Sequence, residues 1–262
     1  MRKLLFALLT ITTAACAHHT TTTGDDDTTG DDDGSGSGMP SAADIQQDYD
    51  DVATTIGATL FSGDFAAQVD TINMAYGRMP PGFIITTTPT YQLADGTRNG
   101  LAVEYKVYCR DAAANNVACD GLEYEAHVRP TYSGSLDGTS ASMDGVQRTA
   151  AWVVKNVTLP TPAVTGSGTN SFSSHLATGD YTITSADTLD KVVFQSTPTG
   201  PITGTITQTL TIDRNRPNVD PADRNFTVMA TLKFTGTDSA LLTLDGTNNY
   251  TFTLSTGVVT GN

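Results

Sequence analysis

The sequence predicts a mainly β protein, built as an antiparallel sandwich or a curved open sheet with two helices at its amino end. Threonine, whose branched side chain suits a pleated and half-solvated surface, makes up 46 of the 262 residues. From Phe83 onward, short runs alternate apolar and polar residues with a period of two, and Gly, Asn, Asp and Pro separate them. No helical pattern of useful length lies between these runs, so parallel strands joined by crossover helices are not expected. Residues 40–262 are predicted to form one domain.

Two amphipathic helices are predicted within residues 41–77, ahead of the first strand. The first covers residues 42–62, and Ser41 with an aspartate three residues later resembles a helix-starting box. The second is predicted to take Asp64 as its N-cap and to end at Gly77, ahead of two prolines. Apolar residues recur at helical spacing in both helices, which predicts that both pack against the sheet. The two stripes are Ile45, Tyr49, Val52, Ile56 and Leu60, and Phe65, Val69, Ile72 and Tyr76.

The clearest strands lie in the last quarter of the chain. Residues 202–212 and 226–234 alternate large apolar residues with threonine and other small or polar residues. This alternation predicts strands with one buried face and one solvated face. Residues 241–254 predict a hairpin that turns on Asp245 and Gly246.

The charge of the chain argues against a nucleic-acid partner. The sequence has 14 basic and 28 acidic residues, which gives a formal net charge of −14. Binding to phosphates requires clustered Lys and Arg, and the sequence contains no such cluster. The acidity favours solubility and does not identify a partner.

The first residues have the form of an export signal. A basic head at residues 1–3 precedes the apolar run LLFALLTI, which is too short to span a bilayer permanently. The following TAAC, at residues 13–16, resembles the lipobox of bacterial lipoproteins, in which small residues precede a lipidated cysteine that becomes the mature amino terminus. The resemblance implies a signal peptide at residues 1–15 and a lipid on Cys16, with the membrane as partner.

The lipobox resemblance has one departure and leaves one alternative open. Thr13 stands where the family usually has leucine. Ordinary signal cleavage after Ala17 would remove Cys16 and make the protein secreted. The resemblance also implies sorting to the outer membrane of the cell envelope, because Ala17 is not the aspartate associated with inner-membrane retention.

Residues 16–39 are predicted to be a disordered spacer between the anchor and the folded domain. Residues 18–38 consist only of His, Thr, Gly, Asp and Ser, and cannot bury enough apolar surface to offset the entropy of ordering. Two Asp-Asp-Asp runs also suggest a calcium loop. They lack the alternating ligand spacing and the late glutamate of such a loop, so we favour the solvated spacer.

The other two of the three cysteines, Cys109 and Cys119, are predicted to form a disulfide. Export leads to an oxidising compartment, and the short spacing places both residues around one loop. Lipidation accounts for the remaining cysteine, Cys16.

A glutamate-rich hairpin is the first candidate metal site. Residues 101–109 and 119–128 predict paired strands, and facing apolar residues across the pair sets Glu104 opposite Glu125. Two opposed carboxylates repel each other, and a divalent cation held by Glu104, Glu125 and His127 would relieve the repulsion. The alternative is an exposed pair screened by water and by neighbouring basic residues.

An interstrand loop rich in oxygen donors is the second candidate, and calcium is the cation considered for it. Asp and Asn side chains suit calcium, but they equally form turns by bonding to their own backbone. Beyond these possible cations, no cofactor is predicted. The donors are Asp213, Asn215, Asn218, Asp220 and Asp223.

The sequence favours an envelope-anchored, non-catalytic binding or structural module. A nucleophile elbow, a phosphate-binding loop and a zinc-protease motif are missing from the sequence, and no catalytic residue is predicted. One alternative is a periplasmic carrier or chaperone that holds an apolar ligand in the cavity of a curved sheet. A less favoured one is a hydrolase that uses the paired carboxylates of the hairpin. The ligand, whether protein, glycan or apolar molecule, is left open.

Lipidation of Cys16 is directly testable. Mass spectrometry of the mature protein from its native envelope is expected to show an acylated cysteine at the amino terminus. An unmodified terminus at His18 would contradict lipidation and would make the protein secreted.

Overall fold

The computed structural model describes residues 39–137, 141–195, 200–236 and 238–262. The expectations for the signal peptide, for Cys16 and for most of the spacer fall on residues 1–38, which lie outside the described residues.

The described chain forms one open antiparallel sheet of 13 strands, so the mainly β fold class is confirmed. Strands follow one another across the sheet in chain order, except that the short β4 pairs only with β3. Of the two predicted architectures, the structure is the open sheet. The strands are β1 (Ile84–Thr87), β2 (Gln92–Arg98), β3 (Leu101–Arg110), β4 (Asn116–Val117), β5 (Glu125–Asp137), β6 (Ser142–Lys155), β7 (Ala163–Leu176), β8 (Gly179–Val193), β9 (Thr203–Asn215), β10 (Asp223–Thr235), β11 (Ser239–Leu244), β12 (Asn248–Thr253) and β13 (Val259–Gly261).

One helix of 34 residues replaces the two predicted helices. It consists of Ala42–Thr59, a π-helical turn at Leu60–Asp64, and Phe65–Ala75, and we call it the N-terminal helix. The prediction that Asp64 is an N-cap is wrong, because its backbone is helical (φ −66°, ψ −41°) and its side chain makes no capping bond. In the π-turn, the Phe65 N–H donates to the Leu60 carbonyl five residues earlier, so the helix continues without a break.

The predicted ends of the helical region are close to those observed. The Ser41 hydroxyl accepts from the Asp44 N–H at 3.1 Å and donates to the Asp44 carboxylate at 2.6 Å. Gly77 takes a positive φ of 67° just beyond the last helical turn. A Cβ at this glycine would lie 2.7 Å from the Cys119 carbonyl oxygen, so the chain can leave the helix here only without a side chain.

The sheet curves around the N-terminal helix and covers most of its circumference. Most helix residues from Asp48 to Ala75 are buried. At Gly57, an added Cβ would lie 2.5 Å from Val259 Cγ2, which shows how closely β13 approaches the helix. A narrow stripe along one side of the helix stays partly exposed. Its residues are Asp50, Thr54, Ala58, Ser62, Ala66, Val69 and Asn73.

Much of the contact between helix and sheet is polar. Near the helix start, the buried Asp48 carboxylate accepts from three guanidinium groups: Arg214 at 3.0 Å, Arg216 at 3.1 Å and Arg224 at 2.7 Å. Three arginines converging on one carboxylate join the strands β9 and β10, with the loop between them, to the helix.

Further along the helix, Asp51 and Thr55 contact β7, β8 and the turn between them. The Asp51 carboxylate accepts hydrogen bonds from the hydroxyls of Thr178, at 2.7 Å, and Tyr181. The hydroxyls of Thr55 and Ser174 lie 3.1 Å apart in the buried interior.

The second half of the helix carries two more buried carboxylates. Asp64 accepts from the Tyr132 hydroxyl and lies 3.3 Å from Arg148 Nε. Asp70 accepts from Arg98 at 2.7 and 2.9 Å and from the Tyr105 hydroxyl at 3.2 Å.

Burial affects the protonation of both carboxylates. It raises the pKa of Asp64 above the ordinary aspartate value, and the charge of Arg148 opposes that rise. Burial likewise raises the pKa of Asp70, and the hydrogen bonds from Arg98 oppose it. The arginines therefore favour the charged forms against the cost of burial.

The two faces of the sheet differ as the period-two pattern predicts. Inward residues of the later strands, such as Ile206, Leu210 and Ile212, are buried, and Trp152 of β6 also lies in the core. The predicted hairpin is confirmed, and it turns at Asp245 and Gly246 with positive φ at both. The outward positions of these strands are mostly threonine and serine.

No helix within the described residues combines the length and the apolar character needed to cross a membrane.

Candidate functional site

A groove beside the π-turn is the candidate ligand site. It has a volume of about 580 Å³ and lies between the N-terminal helix and the segments at the ends of β9, β10 and β12. This size and a mainly apolar lining are typical of small-molecule sites. The lining residues are Phe61, Phe65, Ala66, Val69, Gly200, Pro201, Ile202, Gly236, Asp238, Leu254 and Ser255.

The π-turn positions Phe61 at the groove. A π-turn holds one more residue than a regular turn, so side chains on either side of it are rotated relative to each other. Phe61 consequently remains 41% exposed, whereas Asp64 is buried against Tyr132 and Arg148. One segment can therefore supply an apolar wall to the groove and a carboxylate to the interior.

A glycine allows the chain after β12 to pass beside Phe61. Gly257 has φ of 72°, a conformation that favours glycine. An added Cβ would lie 2.8 Å from Phe61 Cβ, so a larger residue would displace the phenylalanine.

Aromatic side chains pack together at the base of the groove and hold Phe65 in position. The Phe65 ring meets Phe234 edge-on at 5.7 Å between centroids and lies 5.8 Å from Phe252. Both partners are buried on the inner face of the sheet. Ile202, which the sequence pattern places in strand β9, instead precedes that strand and lines the groove.

One ionisable side chain, Asp238, stands among the lining residues. Its carboxylate accepts from the Ser255 N–H at 2.9 Å and from the Ser255 hydroxyl. The Asp238 carbonyl accepts from the Leu254 N–H, also at 2.9 Å. These bonds fix the carboxylate at the edge of the groove.

The chemistry of this lining suits binding. Ser255 is the one hydroxyl residue among the lining residues, and its hydroxyl donates to a carboxylate. Hydrolysis by a serine nucleophile normally needs a base such as histidine within hydrogen-bond reach, and the lining contains no histidine.

The predicted opposition of Glu104 and Glu125 is wrong. In the observed register, Glu104 lies opposite Thr131 of β5, and Glu125 lies opposite Arg110 of β3. The two positions are six residues apart along the strand, which corresponds to about 20 Å. On its other side, Glu104 faces Asp95 of β2.

The loop that carries the disulfide explains the error. Cys109 and Cys119 are bonded as predicted, with their Cα atoms 5.3 Å apart. The chain between β4 and β5 does not pair as a strand, although residues 119–128 were predicted to form one, so Leu122 and Tyr124 are 80% and 62% exposed. Glu123 is buried and accepts from the Gly121 N–H at 2.8 Å.

The structure brings only two of the three hairpin residues together. Glu125 Oε1 lies 2.6 Å from His127 Nε2, whereas Glu104 lies elsewhere on the strand. Within the described residues, one group of three or more potential ligand side chains lies within 4.8 Å, and it consists of Glu123 and the two disulfide cysteines. Because those cysteines are already bonded to each other, this group is not a metal centre.

The second candidate site is partly assembled. Asn215 donates through its side-chain amide to Asp223 at 2.7 Å. Asp213 pairs in register with Asn225 and Thr182, on the outward face of the sheet. Asn218 and Asp220 are exposed in the loop between β9 and β10.

Sequence reasoning missed a histidine that lies between two carboxylates. His175 Nδ1 is 2.7 Å from Asp180, and Nε2 is 3.4 Å from Asp144. The hydrogen bond to Asp180 raises the pKa of His175 above its ordinary value. The pairing depends on the register of β6, β7 and β8, which sequence spacing alone does not reveal.

No known family model, curated protein or solved structure matches the chain.

Replacing Glu104 by Gln tests whether its carboxylate binds a cation. Glu104 and Asp95 are exposed and opposed, so we expect the change to leave the free energy of unfolding unchanged or to raise it by a few tenths of a kcal/mol. Urea unfolding measures this free energy, and thermal unfolding with and without millimolar calcium tests for a bound cation. A calcium-dependent rise in melting temperature that Glu104→Gln abolishes would contradict the expectation.

Proposed function

We propose that the protein is a non-catalytic binding module, held at the bacterial envelope by a lipid on Cys16. The groove beside the π-turn is its ligand site. The observation that carries this proposal is a groove of about 580 Å³ whose lining is apolar apart from Asp238 and Ser255. Exposed apolar side chains such as Phe61 gain free energy when a ligand covers them.

The interior of the curved sheet is occupied by the N-terminal helix, which supports a binding module over a carrier with a large internal cavity. A carrier of that kind needs an inner face larger than its helices can fill. Here the N-terminal helix occupies the inside of the curve, and most of its residues from Asp48 to Ala75 are buried. The space left beside it suits one small apolar group or chain.

The strand register weighs against a hydrolase. Paired catalytic carboxylates in glycosidases lie roughly 5 to 10 Å apart. Glu104 and Glu125 are separated by six strand positions, which is about 20 Å. They cannot act on the same glycosidic bond.

Titration with the uncharged dye N-phenylnaphthylamine, which fluoresces in apolar surroundings, tests the proposed site. The mature chain carrying Cys16→Ser avoids any signal from an acyl group. We expect saturable binding with one dye per chain. Val69→Asp places a charge on the apolar wall and should raise the Kd at least about tenfold, because burying an unpaired charge is costly.

The matched control is Val153→Asp. Val153 is also partly buried, but it lies in β6 and is not among the lining residues. This variant should bind the dye as the parent does. Absence of saturable binding in the parent, or equal Kd values for both variants, would overturn the proposed site.

A further inference from the structure

Apart from Asp238 and Ser255, the side chains that line the groove are apolar. Phe61, Phe65 and Val69 come from the N-terminal helix, and Ile202 and Leu254 come from the chain beside the strands. The chain of a ligand that enters the groove gains free energy from burial against these groups. A charged group placed against these apolar side chains would lose its hydration without an oppositely charged partner beside it.

The Asp238 carboxylate is the exception, and it has spare capacity to accept hydrogen bonds. A carboxylate can accept about four hydrogen bonds. Ser255 supplies two donors, one to each oxygen. Asp238 is exposed and lines the groove, so a donor group on a ligand can reach its carboxylate.

No basic side chain among the lining residues balances this carboxylate. The whole chain adds a formal net charge of −14. A negative group at the edge of the groove would therefore meet a nearby like charge and a negative overall field. A positive group would meet a fixed carboxylate of opposite charge.

We propose that the groove selects a single-chain amphiphile whose apolar chain lies against the walls and whose cationic head pairs with Asp238. The proposal rests on the function proposed above for the groove. The preferred order of heads is cationic, then uncharged, then anionic. The carboxylate sets this order, and the apolar walls contribute equally to all three.

Displacement of the bound dye by three ligands of equal chain length tests the selectivity. The ligands are decyltrimethylammonium, decyl maltoside and decanoate, each used below its micelle concentration. We expect the cation to displace the dye at a concentration at least about fivefold lower than decanoate, since attraction of one head and repulsion of the other act together. Decyl maltoside should fall between them.

Asp238→Asn removes the charge and keeps an oxygen that can accept from Ser255. The concentrations at which the cation and decanoate displace the dye should then agree within about twofold, because the apolar walls are unchanged. Asp190→Asn is the matched control, because Asp190 is exposed on β8 and is not among the lining residues. This variant should keep the parent's selectivity.

Salt gives a second test that needs no variant. Raising the salt concentration from about 0.01 M to about 1 M shortens the screening length from roughly 30 Å to 3 Å. The difference between the dye-displacing concentrations of the cation and of decanoate should therefore become smaller at high salt. Equal displacement by cation and decanoate at low salt, or a preference that neither salt nor Asp238→Asn alters, would overturn the selectivity. Dye binding that persists in the parent would show that the groove still binds apolar groups.

Discussion

Four carboxylates of one helix lie inside the curve of the sheet, and each of them needs a donor from the sheet. Asp48 meets three arginines, Asp51 meets two hydroxyls, Asp64 meets a tyrosine and an arginine, and Asp70 meets an arginine and a tyrosine. A buried carboxylate that loses its partner costs roughly 3 to 5 kcal/mol. The donors lie on several strands and on the turns that connect them, so a shift or rotation of the helix would break several pairs at once. We infer that these pairs fix the position of the helix within the sheet.

The position of the helix in turn defines the groove. Asp64 must face Tyr132 and Arg148, and the π-turn lets Phe61 face the groove in the same segment. Phe65 then packs on two phenylalanines of the sheet and supports the groove from beneath. The polar interior and the apolar groove are thus two consequences of one helix orientation. The proposed binding role fits this arrangement, because the buried pairs of the helix hold the residues that line the groove in place.

The strands could largely be predicted from local patterns, because a period of two and the Asp245-Gly246 turn act over a few residues. Features that depend on residues far apart in the sequence could not be predicted in this way. Asp64 resembles a helix cap in sequence, and its real partners lie 68 and 84 residues further along the chain. The predicted register of the hairpin was wrong because the disulfide loop removes residues such as Leu122 and Tyr124 from the strand. The groove combines four distant segments, the N-terminal helix and the chain at the ends of β9, β10 and β12, and no spacing within any one of them indicates it.

The most direct test of this account is the free energy of unfolding of Asp48→Asn, measured by urea denaturation. This change leaves three arginines around an uncharged side chain in a buried site. We expect a loss of roughly 3 kcal/mol or more. The exposed Asp190→Asn on β8 should change stability by no more than about 0.5 kcal/mol. A loss for Asp48→Asn no larger than that of Asp190→Asn would contradict the claim that the buried ion pairs hold the helix in the sheet.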